Sequence, residues 1–261
     1  MTTASSLSPL LEPYDPTPFQ VEGEGADSPF LIVVDHAGRA TPRSLGDLGL
    51  PRSAFDLHIA YDLGAAGLAA KLAESLSACV ISQAYSRLVI DCNRAPGQPG
   101  SIVETSDGVA IPGNLALSAE DAAARAAAIH APYHRRIGEE LAARGLRGLR
   151  TVLVCQHSFT PAMTGVARPW HVGVLHLGDS AISEAMLALL RAEGDLVVGD
   201  NQPYAMDGTD FTAPFHARVH GCEMLELEVR QDLIAEPAGQ SAMAARLAPL
   251  LVRALHATGG T

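Results

Sequence analysis

The chain has 261 residues, 48% of them hydrophobic and 18% charged, with a formal net charge of -11. That length and burial capacity suit a globular protein with one large domain. The acidic balance excludes a nucleic-acid surface, which needs clustered Lys and Arg, but it leaves open an acidic small molecule held by a few arginines. No apolar run reaches membrane-spanning length.

The opening stretch, MTTASSLSPLLEPYDPTPF, lacks a basic start and a long apolar segment, which predicts no signal peptide. Cys79, Cys92, Cys155 and Cys222 are widely spaced with no CxxC pair, and the first three read as lying in or beside buried strands. Reduced thiols and a cytoplasmic location are the expectation. Residues 1–28, rich in Pro, Ser and acids, read as an irregular lead-in, and residues 29–261 as a single domain.

PFLIVVDHAG is a continuous apolar run ending in polar residues and Gly, the pattern of a buried parallel strand that stops at a functional edge. IAYDLGAAGLAAKLAESL has apolar residues at helical spacing. ACVISQAYS and RLVIDCN read as short strands, followed by a Gly/Pro-rich loop over about residues 94–114. A long helix is predicted from a cap at Ser118 to Gly145, kinked at Pro132. Then come strands TVLVCQHS and VGVLHL, helix ISEAMLALLRAEG, strands DLVVGD and EMLELEVR, and a last helix over SAMAARLAPLLVRALHA. This alternation predicts a three-layer α/β/α sandwich with a mainly parallel sheet. Ligands in such sheets sit beyond the carboxyl ends of the strands.

The polar residues at those ends are therefore the candidate site. His36 and His157 each follow an apolar strand, and two such histidines on one sheet edge can converge on a metal. Catalytic zinc takes three protein ligands and a water. Asp62, at the start of the first helix, is the expected third ligand, with Asp35 and His58 as rivals. Two histidines and a carboxylate also suit other divalent metals. Glu226 and Glu228 alternate with Leu225, Leu227 and Val229, so both acids face one side of their strand. A buried carboxylate needs a partner or a task. For Glu228 the task beside a metal is general base; the structural alternative is a pair with Arg230. Arg94 and Arg87 offer planar forks for a substrate carboxylate, although Arg87 suits an ion pair with Asp91 equally well. Asn93 and Asn201 join the expected substrate contacts. His216 or His220 is placed to stabilise an oxyanion or move a proton. His130 and His134, four apart on the long helix, suit a structural bond better than a metal, because no HExxH glutamate lies between them.

Taken in order, HAGRATP, HIAYDLGA, SRLVIDCNR, APYHRRI, QHSFTP, GDNQPY and EVRQDLI make the chain resemble the N-formylglutamate amidohydrolase family from about residue 30 to 258. The resemblance implies a phosphorylase/hydrolase-like fold and zinc-assisted release of formate from an N-formyl amino acid. More distantly, His36, Asp62, His157 and Glu228 are similar to the ligands and base of zinc carboxypeptidases and N-acetylmuramoyl-L-alanine amidases. Asn93 and Arg94 are similar to the pair that grips the terminal carboxylate in the former. HAGR departs from the carboxypeptidase pattern, having no Glu three residues after the histidine. The segment HIAYDLGA sets the chain apart from the histidine-degradation enzymes, so its substrate need not be N-formylglutamate itself. The leading expectation is a zinc-dependent hydrolase of a small N-acyl amino acid carrying a carboxylate, with no nucleic-acid or membrane partner. The alternatives are an amidase or carboxypeptidase acting on peptides or cell-wall fragments, and a metal-containing amino-acid-binding protein without turnover.

Overall fold

Apolar runs make the central strands of the computed structural model, which describes residues 10–259. β2 (Phe30–Val34) and β6 (Val152–Phe159) are buried along their whole length, as strands covered on both faces must be. They lie parallel, with Leu31 opposite Leu153 and Val33 opposite Cys155. β3 (Cys79–Gln83) runs parallel to β2 on its outer side, and β11 (Glu223–Arg230) runs parallel to β6. β9 (Val172–Leu175) is antiparallel to β11, and β10 (Val198–Asp200) follows it in parallel. With β1 (Phe19–Glu22) at one edge, the order is β1-β3-β2-β6-β11-β9-β10, a mixed but mainly parallel sheet. Two short hairpins lie outside it: β4 (Thr105–Ser106) with β5 (Val109–Ala110), and β7 (Ala162–Met163) with β8 (Val166–Ala167).

Alternation along the strands sorts side chains between two cores. Ile32, Val34, Val154, Leu225, Leu227 and Val229 pack toward α1 (Ala65–Leu76), α4 (Ala181–Ala192) and α6 (Pro237–Ala257). Leu31, Val33, Ile81, Leu153 and Cys155 share the opposite core with Ile129, Tyr133 and Ile137 of the long helix. α5 (Thr212–His220) adds Ala213 to that second layer. The long helix is α2 (Ala119–Arg125), one π-helical turn over Ala126–His130, and α3 (Ala131–Leu146). Ser118 Oγ accepts from the Asp121 amide at 3.0 Å, a cap worth about 1 kcal/mol. The kink expected at Pro132 takes the form of the π turn. Proline has no amide to donate and its ring crowds the preceding turn, and the wider turn lies where that crowding falls.

Three expectations are corrected. Within the described part of the lead-in, Phe19–Glu22 forms β1, antiparallel to β3; residues 1–9 of the lead-in lie outside the described residues. RLVIDCN is not a strand but a buried loop. Its backbone is satisfied elsewhere: the Arg87 amide donates to Ala60 O and the Asp91 amide to Ser101 O. The fully buried Arg125 donates to Val89 O, Gly113 O and Asn114 Oδ1. Leu88, Val89 and Ile90 are apolar because they enter the second core, and a short apolar run does not reveal which buried conformation it takes. Finally, the first helix begins only at Ala65, after Gly64 at φ 78°. Asp62 therefore sits on the turn before it, its amide donating to His36 O at 2.9 Å.

Gly38 is required by close packing. A Cβ there would stand 1.9 Å from Ala84 O, so the loop carrying His36 packs backbone to backbone against the end of β3. Gly38→Ala is expected to lower unfolding free energy by about 2 kcal/mol or more, read as a fall in the urea midpoint at unchanged slope.

Candidate metal centre

Three parallel strand ends bring the site together. His36 leaves β2 two residues after its last strand residue, His157 lies near the end of β6, and Glu228 is opposite His157 on β11. Asp62 reaches them from the turn before α1. His36 Nδ1 lies 3.4 Å and His157 Nδ1 2.9 Å from the same atom, Asp62 Oδ2. One ligand atom from each of these three buried residues lies within 4.8 Å of the others, a cluster able to hold a divalent metal.

The outer nitrogens explain why the cluster fits a cation. His36 Nε2 is 2.7 Å from Asp91 Oδ1, and His157 Nε2 faces Asp35 Oδ2 at 3.3 Å. An ionised carboxylate only accepts, so the Nε2 of His36, in hydrogen-bond contact with Asp91, carries a proton, and Asp35 favours the same tautomer in His157. In the neutral ring Nδ1 is then a lone pair. Two Nδ1 atoms and a carboxylate oxygen converge, an arrangement made favourable by positive charge between them, either protons on the imidazoles or a bound cation. Carboxylates behind metal-ligating histidines fix tautomer and ring orientation in this way. Asp35 is thus a support for His157 rather than the rival ligand, and Thr212 Oγ1 donates to its Oδ1 at 2.9 Å. The other rival, His58, lines the cavity but points its Nε2 at Asp107 Oδ2, 3.2 Å away.

The charges follow this geometry. Burial and Arg87 push the His36 pKa down, but Asp91 and Asp62 outweigh them and it stands above the ordinary value. Burial likewise opposes a charge on His157, yet Glu226, Asp35 and Asp62 raise its pKa well above normal. Against the penalty of burial, His36 and His157 hold Asp62 well below the usual carboxylate range. Glu226 and Glu228 behave oppositely. Burial, with Asp210 and Asp35 beyond it, pushes Glu226 up to about 7. Burial, then Asp62 and Glu226, lifts Glu228 well above the ordinary range. Each has an Oε2 that is buried without a hydrogen-bond partner among the described residues. Neither uses Arg230, which pairs with Asp232.

Glu226 and Glu228 line a cavity of about 470 Å³ together with His36, Asp62 and His157. That volume is of small-molecule size. Arg87 lines it while bonded through Nε and Nη2 to Asp91 Oδ2 at 3.1 and 2.6 Å, so the ion pair weighed for it is present. Arg94 lines it too, its Nη1 donating to Asp210 Oδ1 at 2.9 Å and to Asn93 O at 2.7 Å. Asn93 is at the wall, but its Oδ1 accepts the Phe211 and Thr212 amides and so fastens the start of α5.

Two expected site residues lie outside the cavity wall. Asn201, at φ 49°, spends Oδ1 on the His176 and Met206 amides and closes its own loop. His216 is buried in α5, its Nε2 3.0 Å from His134 Nδ1. His134 Nε2 must donate to Cys92 O, 2.8 Å away, so its Nδ1 accepts from His216. Burial depresses both, His134 to about 3 and His216 to about 4. They are neutral struts. With His130 Nε2 at 3.1 Å from Arg94 O, the two histidines of the long helix hold the Cys92–Arg94 backbone, the structural bond expected of them. Asp210 is the residue that sequence reasoning missed. It sits in an Asp-Gly-Thr-Asp loop with no apolar periodicity, and only its salt bridge to Arg94 reveals it.

A family model described as N-formylglutamate amidohydrolase matches residues 28–235. Among solved structures, a gene product of Agrobacterium tumefaciens is similar at 37% identity, with a TM-score of 0.92, over 96% of this chain and 99% of that one. The N-formylglutamate amidohydrolase of Ralstonia eutropha shares the fold at 18% identity and a TM-score of 0.67, over 94% of this chain and 100% of that one. Among curated proteins no sequence matches the chain.

Asp35→Asn and Asp91→Asn should each weaken binding of a divalent metal by about 10- to 100-fold, measured by competition with a chromophoric chelator. Affinity unchanged in both would show that the outer carboxylates do not set the histidine tautomers.

Proposed function

Since the chain belongs to the N-formylglutamate amidohydrolase family, we propose that it hydrolyses the amide bond of a small N-acyl, in the first instance N-formyl, amino acid, releasing formate and the free amine. His36, Asp62 and His157 would hold the ion, and Zn²⁺ suits two imidazoles and one carboxylate with a position left for water. The observation that carries the reading is the convergence of both Nδ1 atoms on Asp62 Oδ2 in the cavity where Glu228 Oε2 has no partner among the described residues.

When bound, the ion supplies Lewis acidity, polarising the acyl carbonyl and making water acidic enough to attack near neutral pH. Glu228 Oε2 takes the proton of the attacking water and passes it to the amine nitrogen as the C–N bond breaks. Water thereby contributes OH to the acyl group and H to the amine, and the bond count balances. Burial gives Glu228 a raised pKa, which suits a group that must both accept and return a proton. Arg94 holds the substrate's α-carboxylate. Its Nη1 is occupied, but Nε and Nη2 have no protein partner among the described residues, leaving one edge of the fork for two parallel hydrogen bonds. His216 takes no part at the oxyanion, because it lies behind the cavity wall.

Glu228→Gln should retain metal, by elemental analysis, while formate release falls about 10²- to 10⁴-fold. Full activity in the variant removes Glu228 as base. Metal and amino acid bound by the wild type without formate from any formyl amino acid would favour a binding protein.

A further inference from the structure

Glu228, Gly173 and Gly199 stand in register across β11, β9 and β10. Residues in register point to one face of a sheet, so the two glycines leave a bare track beside the Glu228 side chain. A Cβ on Gly173 would lie 3.4 Å from Glu228 Cβ. The track is filled by the chain that leaves β10. The same Gly173 Cβ would stand 2.1 Å from Gln202 O, and one on Gly199 would stand 2.5 Å from it. That segment is pinned in place. The Asn201 amide donates to Val174 O at 3.0 Å, and Asn201 Oδ1 accepts the Met206 amide at 3.3 Å. Gln202 thus lies on the sheet face that bears Glu228, and Tyr204, two residues on, shares the cavity wall with that acid.

The phenol is oriented as well as placed. Arg168, just past β8, has no acidic partner among the described residues. Its guanidinium carbon lies 4.7 Å from the centre of the Tyr204 ring, its Nη1 donates to the phenol oxygen at 2.9 Å, and its Nη2 reaches Met163 Sδ at 2.9 Å. A guanidinium has no acceptor, so the phenol proton is not spent on Arg168, and it meets no other acceptor among the described residues. The hydroxyls of Ser158 and Thr160, on the same wall, are spent on Leu63 O and Ala162 O. Burial, then the charge of Glu228, holds the Tyr204 pKa above its ordinary value, so the hydroxyl keeps its hydrogen at neutral pH. Accepting from a cation polarises the O–H bond and makes it a stronger donor.

We propose that Tyr204 is a catalytic residue that donates a hydrogen bond to the acyl oxygen of the substrate, and that Arg168 is the positioning residue behind it. This deepens the reading of the chain as an N-acyl amino acid hydrolase and rests on it. The acyl group is the part of the substrate that must lie beside Glu228, whereas the α-carboxylate lies at Arg94, so a donor beside Glu228 serves the acyl oxygen. No proton changes hands at the phenol. Glu228 alone carries one from water to amine, and the Tyr204 bond shortens as negative charge gathers on the oxygen. A donor of this kind acts on the chemical step rather than on substrate affinity.

Tyr204→Phe, which removes only the hydroxyl, should retain metal by elemental analysis. With the best of a panel of N-formyl amino acids, its kcat should fall about 10²-fold while KM stays within about threefold of the wild-type value. Calorimetry should show the free amino acid product bound as tightly as by the wild type. The N-phosphoryl amino acid, whose tetrahedral phosphorus places an anionic oxygen where the acyl oxygen stands, should lose about tenfold or more in affinity. Arg168→Gln should lower kcat several-fold in the wild type and leave it unmoved in the Tyr204→Phe background. Full kcat in Tyr204→Phe overturns the proposal. So does a raised KM with weakened product binding at unchanged kcat, which would make the phenol a carboxylate clamp. Arginine and tyrosine losses that multiply in the double variant overturn the positioning role of Arg168. If the wild type cleaves no N-formyl amino acid, the hydrolase reading fails and takes this proposal with it.

Discussion

Everything in this molecule's polar centre depends on Asp62. A carboxylate that is only 5% exposed costs several kcal/mol to bury alone, and here it is met by two imidazoles aimed at one of its oxygens. Those imidazoles are themselves pinned by Asp91 and Asp35. Five side chains, none of them tolerable in the interior without the others, form one compensated unit. Breaking a buried pair of this kind by removing a single partner typically costs about 3–5 kcal/mol, so the cluster belongs to the stability of the fold as much as to its chemistry. The apolar strands exist to hold it. β2 and β6 are covered along their whole length and β11 through its middle, and rigid elements place ligands more reliably than loops do.

Around that centre the loops add a second set of fixed points. Arg125, an entirely buried cation, gathers three carbonyl or amide oxygens from the loops around Val89, Gly113 and Asn114. His130 and His134 clamp the carbonyls of Arg94 and Cys92. Asn93 reaches across to α5. The result is that Arg94 is aimed by contacts on three sides, although it stands in a segment with no regular structure.

Much of this was readable from the residues, and the reasons are physical. The runs FLIVV and TVLVC read as strands buried on both faces, and each is followed two residues on by a histidine, so the sheet edge and two of the three clustered residues announced themselves. The alternation in MLELEVR put Glu226 and Glu228 on one side. What stayed hidden was settled by contacts between distant segments. Leu88, Val89 and Ile90 are apolar for burial in a loop, and no periodicity distinguishes that from a strand. His216 follows an apolar stretch and looks free for catalysis, yet His134, 82 positions earlier, takes its nitrogen. Asp210 gives no local signal, because its importance lies in a partner 116 positions away.

The way the loop of residues 201–211 is mounted has a further bearing on how such molecules diversify. It departs from β10, an edge strand, and past Tyr204 supplies Asp207 and Asp210 to the cavity rim, whereas Glu228 and the imidazoles are borne by the sheet's middle. Lengthening or rewriting a peripheral segment disturbs little of the interior. Descendants of one ancestral scaffold can therefore exchange one acylated amino acid for another by editing a border, while the inherited reaction apparatus passes on unaltered.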